Sequence, residues 1–341
     1  MSFTKGLHEL APGCHAYLQP SGAWGWNNAG LISDGEASLL VDTLFDTRLT
    51  AQMLASMRDA VPAAKDIGTV VNTHVNGDHC WGNALVRDAE IIASRRSAEE
   101  MVELPPSLMA KLMTVARVSQ RGPRVSRALG TLAGKLGVEL LASVVEAAPF
   151  VLEIFSDFHF EGIELVPPTR TFDGELSLKV GDKRVELIEV GPAHTKGDVL
   201  VYLPDDKLLF SGDILFIGGH PVMWEGPVAN WIAACKRIEA MELDAVVPGH
   251  GPITDTAGVR RVREYLEFIE REARERYEGG MSSYEAAVDI DLRDYADLGE
   301  PERIVVNVDT LYREFAGKGP RKSVVPCFAR IARYHHHHHA N

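Results

Sequence analysis

The stretch THVNGDHCWGN, residues 73–83, places His74, Asp78 and His79 within six positions. Three other segments carry residues of the same kind: His194 in VGPAHTKGD, Asp213 in LLFSGD and His250 in VVPGHG. Imidazole nitrogen and carboxylate oxygen together suit zinc, iron or manganese, whereas calcium prefers oxygen alone. Gly191, Gly197, Gly212, Gly249 and Gly251 flank these residues and let the backbone turn tightly beside an ion. A single histidine near a strand end is usually a packed or surface residue. Four such segments in one chain point to a metal centre with candidate ligands His74, Asp78, His79, His194, Asp213 and His250. Cys80 stands beside the cluster but lacks the spacing of a zinc-finger ligand.

Each donor follows a strand-like run. HAYLQP, AGLISDG and SLLVDT read as consecutive strands, with Asp34-Gly35 as a hairpin signal between the last two. TRLTAQMLASMRDAV has the apolar spacing of a helix, and IGTVVNT is a buried strand that ends at His74. From about 96 to 156 the pattern becomes helical, with a break at Gly122-Pro123. Strands return with LSLKVG, RVELIEVG, DVLVYLP and KLLFSGD. A helix (NWIAACKRIEAMEL), the short strand DAVVPG and a long polar helix follow, then a helical tail over about 281–331. Nothing separates two independent domains. The expected organisation is a core over 1–280 with a helical insertion at about 96–156 and a helical extension over 281–334. Residues 335–341, which hold five histidines, read as a purification tag or a His-rich tail.

The motifs THVNGDH, GPAHTKGD, FSGD and PGHG, in this order, resemble the signature of the metallo-β-lactamase superfamily, whose first motif is HxHxDH. NAGLISDGEASLLVDT resembles its N-terminal hairpin, with Leu44 where many members have glycine. The resemblance covers roughly residues 15–255 and implies an α/β chain folded as an αβ/βα four-layer sandwich, with the metal site along one edge. It further implies a first metal site at His74, the Asn76 position and His194, a second at Asp78, His79 and His250, and Asp213 bridging them. Asn76 departs from the motif: an amide is a poorer donor to such a cation than imidazole. The first metal is then weakly bound, or absent so that one ion serves, or the site is inactive.

A bound divalent cation brings the pKa of its water from about 15.7 towards 7, which makes hydroxide available near neutrality. The expected function is therefore a metal-dependent hydrolase that attacks an ester, thioester, lactone or amide carbonyl. Zn2+ is the expected cofactor, with iron or manganese as alternatives. Asp78 is expected to ligate and to orient the nucleophile, His74 or His194 to move a proton if free of metal, and Asn76 to donate to the oxyanion. Two other functions stay open: an iron-dependent redox enzyme of the same fold, and a non-catalytic metal-binding relative.

Around the site, Trp24 and Trp26 lie in a Gly-bounded loop, and His220 and Trp224 in a Gly/Pro loop after Asp213. All four are candidates for substrate contact. Net charge is −13, from 35 basic and 48 acidic residues, which argues against nucleic-acid binding. The expected partner is a small molecule, acyl or anionic. Lys111, Arg117, Arg121, Arg124, Arg127 and Lys135 reverse that sign locally; they form a solvated helical face, a cap that steers an anion, or a membrane-surface contact. No apolar run approaches the roughly 20 residues of a bilayer span. The four cysteines, scattered and unpaired in pattern, and the lack of an apolar N-terminal leader point to the cytoplasm.

Overall fold

The computed structural model describes residues 3–101, 105–119, 139–319 and 325–339. Its centre is a pair of sheets. The first has seven strands in sequential order: β1 (Gly6–Ala11), β2 (Cys14–Leu18), β3 (Ala29–Asp34), β4 (Ala37–Val41), β5 (Thr69–Val71), β6 (Glu90–Ser94) and β7 (Arg170–Phe172). The second runs in the order β12 (Ala245–Val247), β11 (Leu208–Phe210), β10 (Val199–Leu203), β9 (Lys183–Glu189) and β8 (Glu175–Val180). Antiparallel pairs join β1 to β4 in the first sheet and β8 to β11 in the second, and parallel pairs β4–β5, β5–β6, β6–β7 and β11–β12 complete them.

Side chains alternate along a strand, and here both faces are buried. Ile32, Leu39, Val41, Val71 and Ile92 of the first sheet meet Val185, Leu187, Val201, Leu208, Phe210 and Val247 of the second in one apolar layer. Their neighbours Leu31, Leu40, Val70, Ile91, Leu200, Leu209 and Val246 point the other way, into the larger cluster shared with the helices. A sheet pair covered by helices on both outer faces is the expected αβ/βα sandwich. Among the helices are α1 (Thr47–Ala60) and α2 (Gly77–Cys80), then α3 (Arg95–Glu100), α4 (Pro106–Ser119) and α5 (Glu139–Phe155) in the insertion. After them come α6 (Val228–Glu239) and α7 (Thr256–Glu278). The chain ends in α8 (Ser283–Asp289), α9 (Ile304–Phe315) and α10 (Val325–His339).

Strands β1, β6 and β7 do not stand out in the sequence. β1 and β7 are edge strands with mixed burial, and β6 is a five-residue run whose buried side chains lack a polar alternation. Most of the described residues of the insertion lie in the helices α3, α4 and α5. Its Gly122-Pro123 break and Arg121, Arg124, Arg127 and Lys135 lie outside the described residues, whereas Lys111 and Arg117 are exposed. α10 packs on α5 and continues into the histidine run. His335, read from the sequence as the start of a tail, lies 3.2 Å from Glu153, and its ring is tilted against Phe150 with centroids 5.0 Å apart. Ala340 and Asn341 lie outside the described residues. No described helix is long and apolar enough to cross a membrane.

Gly30 on β3 marks a close approach of the two sheets: a Cβ there would run into the buried Phe210 ring. Gly30→Ala is expected to destabilise the fold by about 1–3 kcal/mol, the usual range for overpacking a core. Thermal or urea denaturation checks this against Gly68→Ala, whose added methyl meets nothing closer than 3.8 Å.

Candidate metal centre

The candidate donors gather at one edge of the sandwich because each lies just beyond a strand. His74 follows β5, Asp78 and His79 sit on the short helix α2, and Asp213 follows β11. His250 follows β12, and His194 lies on the β9–β10 connection. All six are buried. Asp213 is the hub. Its Oδ2 lies 3.3 Å from His194 Nε2, 3.5 Å from His250 Nε2 and 3.6 Å from His74 Nε2, and its Oδ1 lies 3.1 Å from His79 Nε2. Asp78 Oδ2 adds contacts of 3.3 Å to His250 and 3.9 Å to His79. Gly249 makes the approach feasible, since any side chain there would overlap Asp213.

The other nitrogen of each ring decides what Nε2 offers. His79 Nδ1 donates to Asp42 Oδ2 at 2.8 Å. Thr73 Oγ1 donates its one proton to Asp42 Oδ2 at 2.7 Å and so accepts from His74 Nδ1 at 3.1 Å. His250 Nδ1 donates to Gly22 O at 3.2 Å and His194 Nδ1 to Val222 O at 2.6 Å. With Nδ1 committed in this way, each ring, once neutral, would present its Nε2 lone pair to the same small space. His74 Nε2, His79 Nε2 and Asp213 Oδ1 are buried and have no hydrogen-bond partner. Imidazole nitrogens and carboxylates packed together in a buried site call for a cation, so the donor set fits a metal ion. Among the described residues, two groups hold donor atoms within 4.8 Å of one another: His74, His79 and Asp213, and Asp78, His79 and His250.

Asn76 breaks the symmetry of the cluster. Its Nδ2 donates to His194 Nε2 at 2.9 Å. The amide orientation follows from the ring, whose Nδ1–H is committed to Val222. Asn76 thus occupies the lone pair with which His194 would meet an ion.

Asp42 escaped sequence-based selection although its position in SLLVDT was visible. It is buried, its Oδ1 accepts Thr73 N–H at 2.7 Å, and its backbone adopts φ 61°, a left-handed conformation that costs energy in a non-glycine residue. One carboxylate thereby fixes the tautomers of both His74 and His79.

The electrostatics follow from this crowding. Burial would lower His250, but the Asp213 and Asp78 carboxylates outweigh it and push it up to about 9. His79 is raised well above the ordinary range: burial opposes this, and Asp213, Asp42 and Asp78 prevail. His74 is lowered well below the ordinary range by burial and by the neighbouring His79 charge. His194 is lowered, chiefly by burial. Asp213 is held well below the usual carboxylate range, because the four imidazoles overcome its burial.

A cavity of about 350 Å³ opens beside Asp78, Asp213 and His250. Trp24, Phe45 and Trp81 wall it from the core, Met109 and Leu112 of α4 and Val151 and Phe155 of α5 from the insertion, and Phe328 of α10 from the C-terminal end. Of the proposed substrate contacts, Trp24 and Trp224 line it. Trp26 packs instead on Phe158, with ring centroids 4.8 Å apart. His220 is fully buried and bonded to Tyr265 Oη at 2.9 Å, away from the cavity lining.

The sequence model of the Metallo-beta-lactamase superfamily matches residues 23–250. Over 87 residues the chain is 32% identical to the 2,4-dinitroanisole O-demethylase subunit alpha of Nocardioides sp. (strain JS1661), covering 25% of this chain and 26% of that one. Over 91 residues it is 36% identical to a hydroxyacylglutathione hydrolase of Rhizobium etli, covering 26% and 35%. Over 95 residues it is 28% identical to an acyl-coenzyme A thioesterase of Bos taurus, covering 26% and 33%. The matches thus span about a quarter to a third of these relatives. Among solved structures, the sec-alkylsulfatase Pisa1 from Pseudomonas sp. superposes with TM-score 0.62 at 17% identity, covering 92% of this chain and 50% of that one. A metallo-beta-lactamase from Pontibacter korlensis gives TM-score 0.53 at 17% identity, covering 77% and 99%. At these identities the likeness is one of fold.

Two measurements check the centre. Asp42→Asn is expected to lower zinc affinity about 10- to 100-fold by loosening His79 and His74, as read by chelator competition; unchanged affinity would show that Asp42 only braces the backbone. Protons and metal compete for the same nitrogens, and His250 keeps its proton up to about pH 9. Apparent zinc affinity is therefore expected to rise with pH and level off above that value, whereas a plateau already at the ordinary imidazole range would contradict the geometry.

Proposed function

This chain belongs to the metallo-beta-lactamase superfamily, and from that premise we propose that it is a zinc-dependent hydrolase of apolar acyl compounds, cleaving an ester, thioester, lactone or amide carbonyl. The observation that carries this reading is the buried donor cluster opening directly into an apolar cavity of about 350 Å³. The hydroxyacylglutathione hydrolase and the acyl-coenzyme A thioesterase among its relatives support an acyl substrate.

Asp78, His79 and His250 would hold the ion, with Asp213 and His74 beside them. When bound, a divalent cation acidifies water and polarises a carbonyl oxygen. The chain's own groups do the rest. Asp42 keeps the His79 and His74 lone pairs aimed inward through its bonds to His79 and Thr73. Asp78, which lines the cavity, is placed to take a proton from the attacking water. Asn76 also lines the cavity, and its amide has a second N–H beyond the one given to His194, a donor for the developing oxyanion. Trp24, Phe45, Trp81 and Phe155 exclude water from the acyl group.

Since Asn76 closes off His194, one ion per chain is expected. Elemental analysis of a chain ending at His335 tests this without interference from histidines 336–339. Asn76→His is expected to raise the content to about two. Two ions in the unaltered chain would overturn the one-ion reading, and stoichiometric iron with oxygen consumption would overturn the hydrolase. Chelation is expected to abolish turnover of a nitrophenyl ester panel, and Asp78→Asn to lower kcat by about 10²-fold or more at unchanged fold. Turnover that survives both treatments would remove the centre from the mechanism.

A further inference from the structure

Arg303 closes the 3-10 turn Pro301–Arg303 of the C-terminal extension, beyond the residues that match the superfamily. It is 1% exposed, yet it lines the same cavity as Asp78, Asp213 and His250. Its guanidinium carbon lies 4.6 Å from the Trp24 ring and 5.3 Å from the Phe216 ring, so two aromatic faces hold it. Phe216 in turn stacks on His250, with centroids 5.0 Å apart and planes within 7°. The arginine is thus one aromatic ring removed from a donor of the metal centre.

Its polar partners do not account for its donors. Nη1 donates to His220 O at 2.9 Å and lies 3.7 Å from Glu300 Oε2. Nε is buried with no acceptor at all. Neighbouring Glu302 is directed elsewhere, its Oε1 accepting Trp24 Nε1–H at 2.8 Å. A guanidinium carries five N–H donors in a planar fork matched to a carboxylate, and burying it with part of that fork unused is costly. An acceptor arriving in the cavity would relieve that cost.

We propose that Arg303 is a specificity-determining residue that anchors an oxyanion at the far end of the acyl substrate, so that the substrate class is an acyl ester or thioester whose apolar acyl chain ends in a carboxylate. The inference rests on the hydrolase reading above. The aromatic and aliphatic walls take the chain, the metal edge takes the reacting carbonyl, and Arg303 takes the terminal charge. The same cradle explains Trp24: Glu302 and Arg303 pin its ring as the floor of the anion site.

The test compares nitrophenyl esters of a straight-chain monoacid and of the ω-carboxy acid of equal length. The wild-type enzyme is expected to favour the carboxylated ester about tenfold or more in kcat/KM, mainly through KM. In Arg303→Gln that ratio should fall to about one, whatever happens to the neutral ester. Arg303→Lys, which keeps the charge but loses the fork, should fall between and decides the matter if Arg303→Gln does not fold. Equal kcat/KM for the two esters in the wild type, or an unchanged ratio in both variants, would overturn the proposal. Calorimetry with monomethyl and dimethyl suberate on the metal-loaded protein keeps the two readings apart. A preference for the monoanion that Arg303→Gln abolishes supports the anchor even if no ester is turned over, in which case only the hydrolase reading fails. A preference that survives in Arg303→Gln assigns the anion to the metal and overturns the anchor.

Discussion

Four imidazole Nε2 atoms and two carboxylates share one buried space, and the rest of the molecule is arranged to hold them there. Asp213 sits within 3.6 Å of all four rings. Left to themselves, such groups would rotate to seek hydrogens or solvent. They are restrained from behind: Asp42, Thr73, Gly22 and Val222 take the Nδ1 protons, and each of these partners is fixed at a strand end or in a loop bonded to one. The sandwich therefore acts as a rigid frame for one edge, with the ligand loops short and the strands behind them buried on both faces.

Within this frame the substitution of asparagine at position 76 is a rearrangement rather than a loss. A histidine there would bring one more lone pair into the cluster. The amide brings a donor, and it satisfies His194 in place. The consequence is chemical asymmetry: one side of the centre keeps its donors facing inward, and the other side becomes a neutral hydrogen-bonded pair. Burial favours that neutrality, as the lowered His194 shows beside the raised His250.

The candidate donors stand out in the sequence because they occur in short strings at the ends of buried strands, where local order alone groups Asp78 with His79 and separates both from His250. What could not be read depends on contacts between distant segments. Asp42 meets His79 across 37 positions and is one aspartate among many in composition. Trp24 meets Glu302 across 278 positions, so neither its burial nor its partner is visible locally. His220, in a glycine-rich loop after Asp213, has the sequence context of a site residue. Packing decides otherwise: Arg303 takes its carbonyl oxygen and Tyr265 its ring. The edge strands β1 and β7 escaped for a related reason, since half-exposed strands lack the apolar runs that mark buried ones.

The division of labour in the fold follows from where each part of the cavity originates. The donors come from strand ends of the sandwich, which the superfamily match spans. The enclosure comes from the insertion, through Met109 and Val151, and from the C-terminal segment, through Arg303 and Phe328. These two outer parts also pack on each other, α5 against α10. The loop bearing Trp24 is tied to the second of them by the Glu302 hydrogen bond and the Arg303 guanidinium. The insertion, the C-terminal segment and the Trp24 loop thus form one connected body, which closes the cavity against Phe45 and Trp81 of the core. Changing that body alters which molecule fits without moving an imidazole, and this is how a shared metal edge can serve different chemistries on a common sandwich.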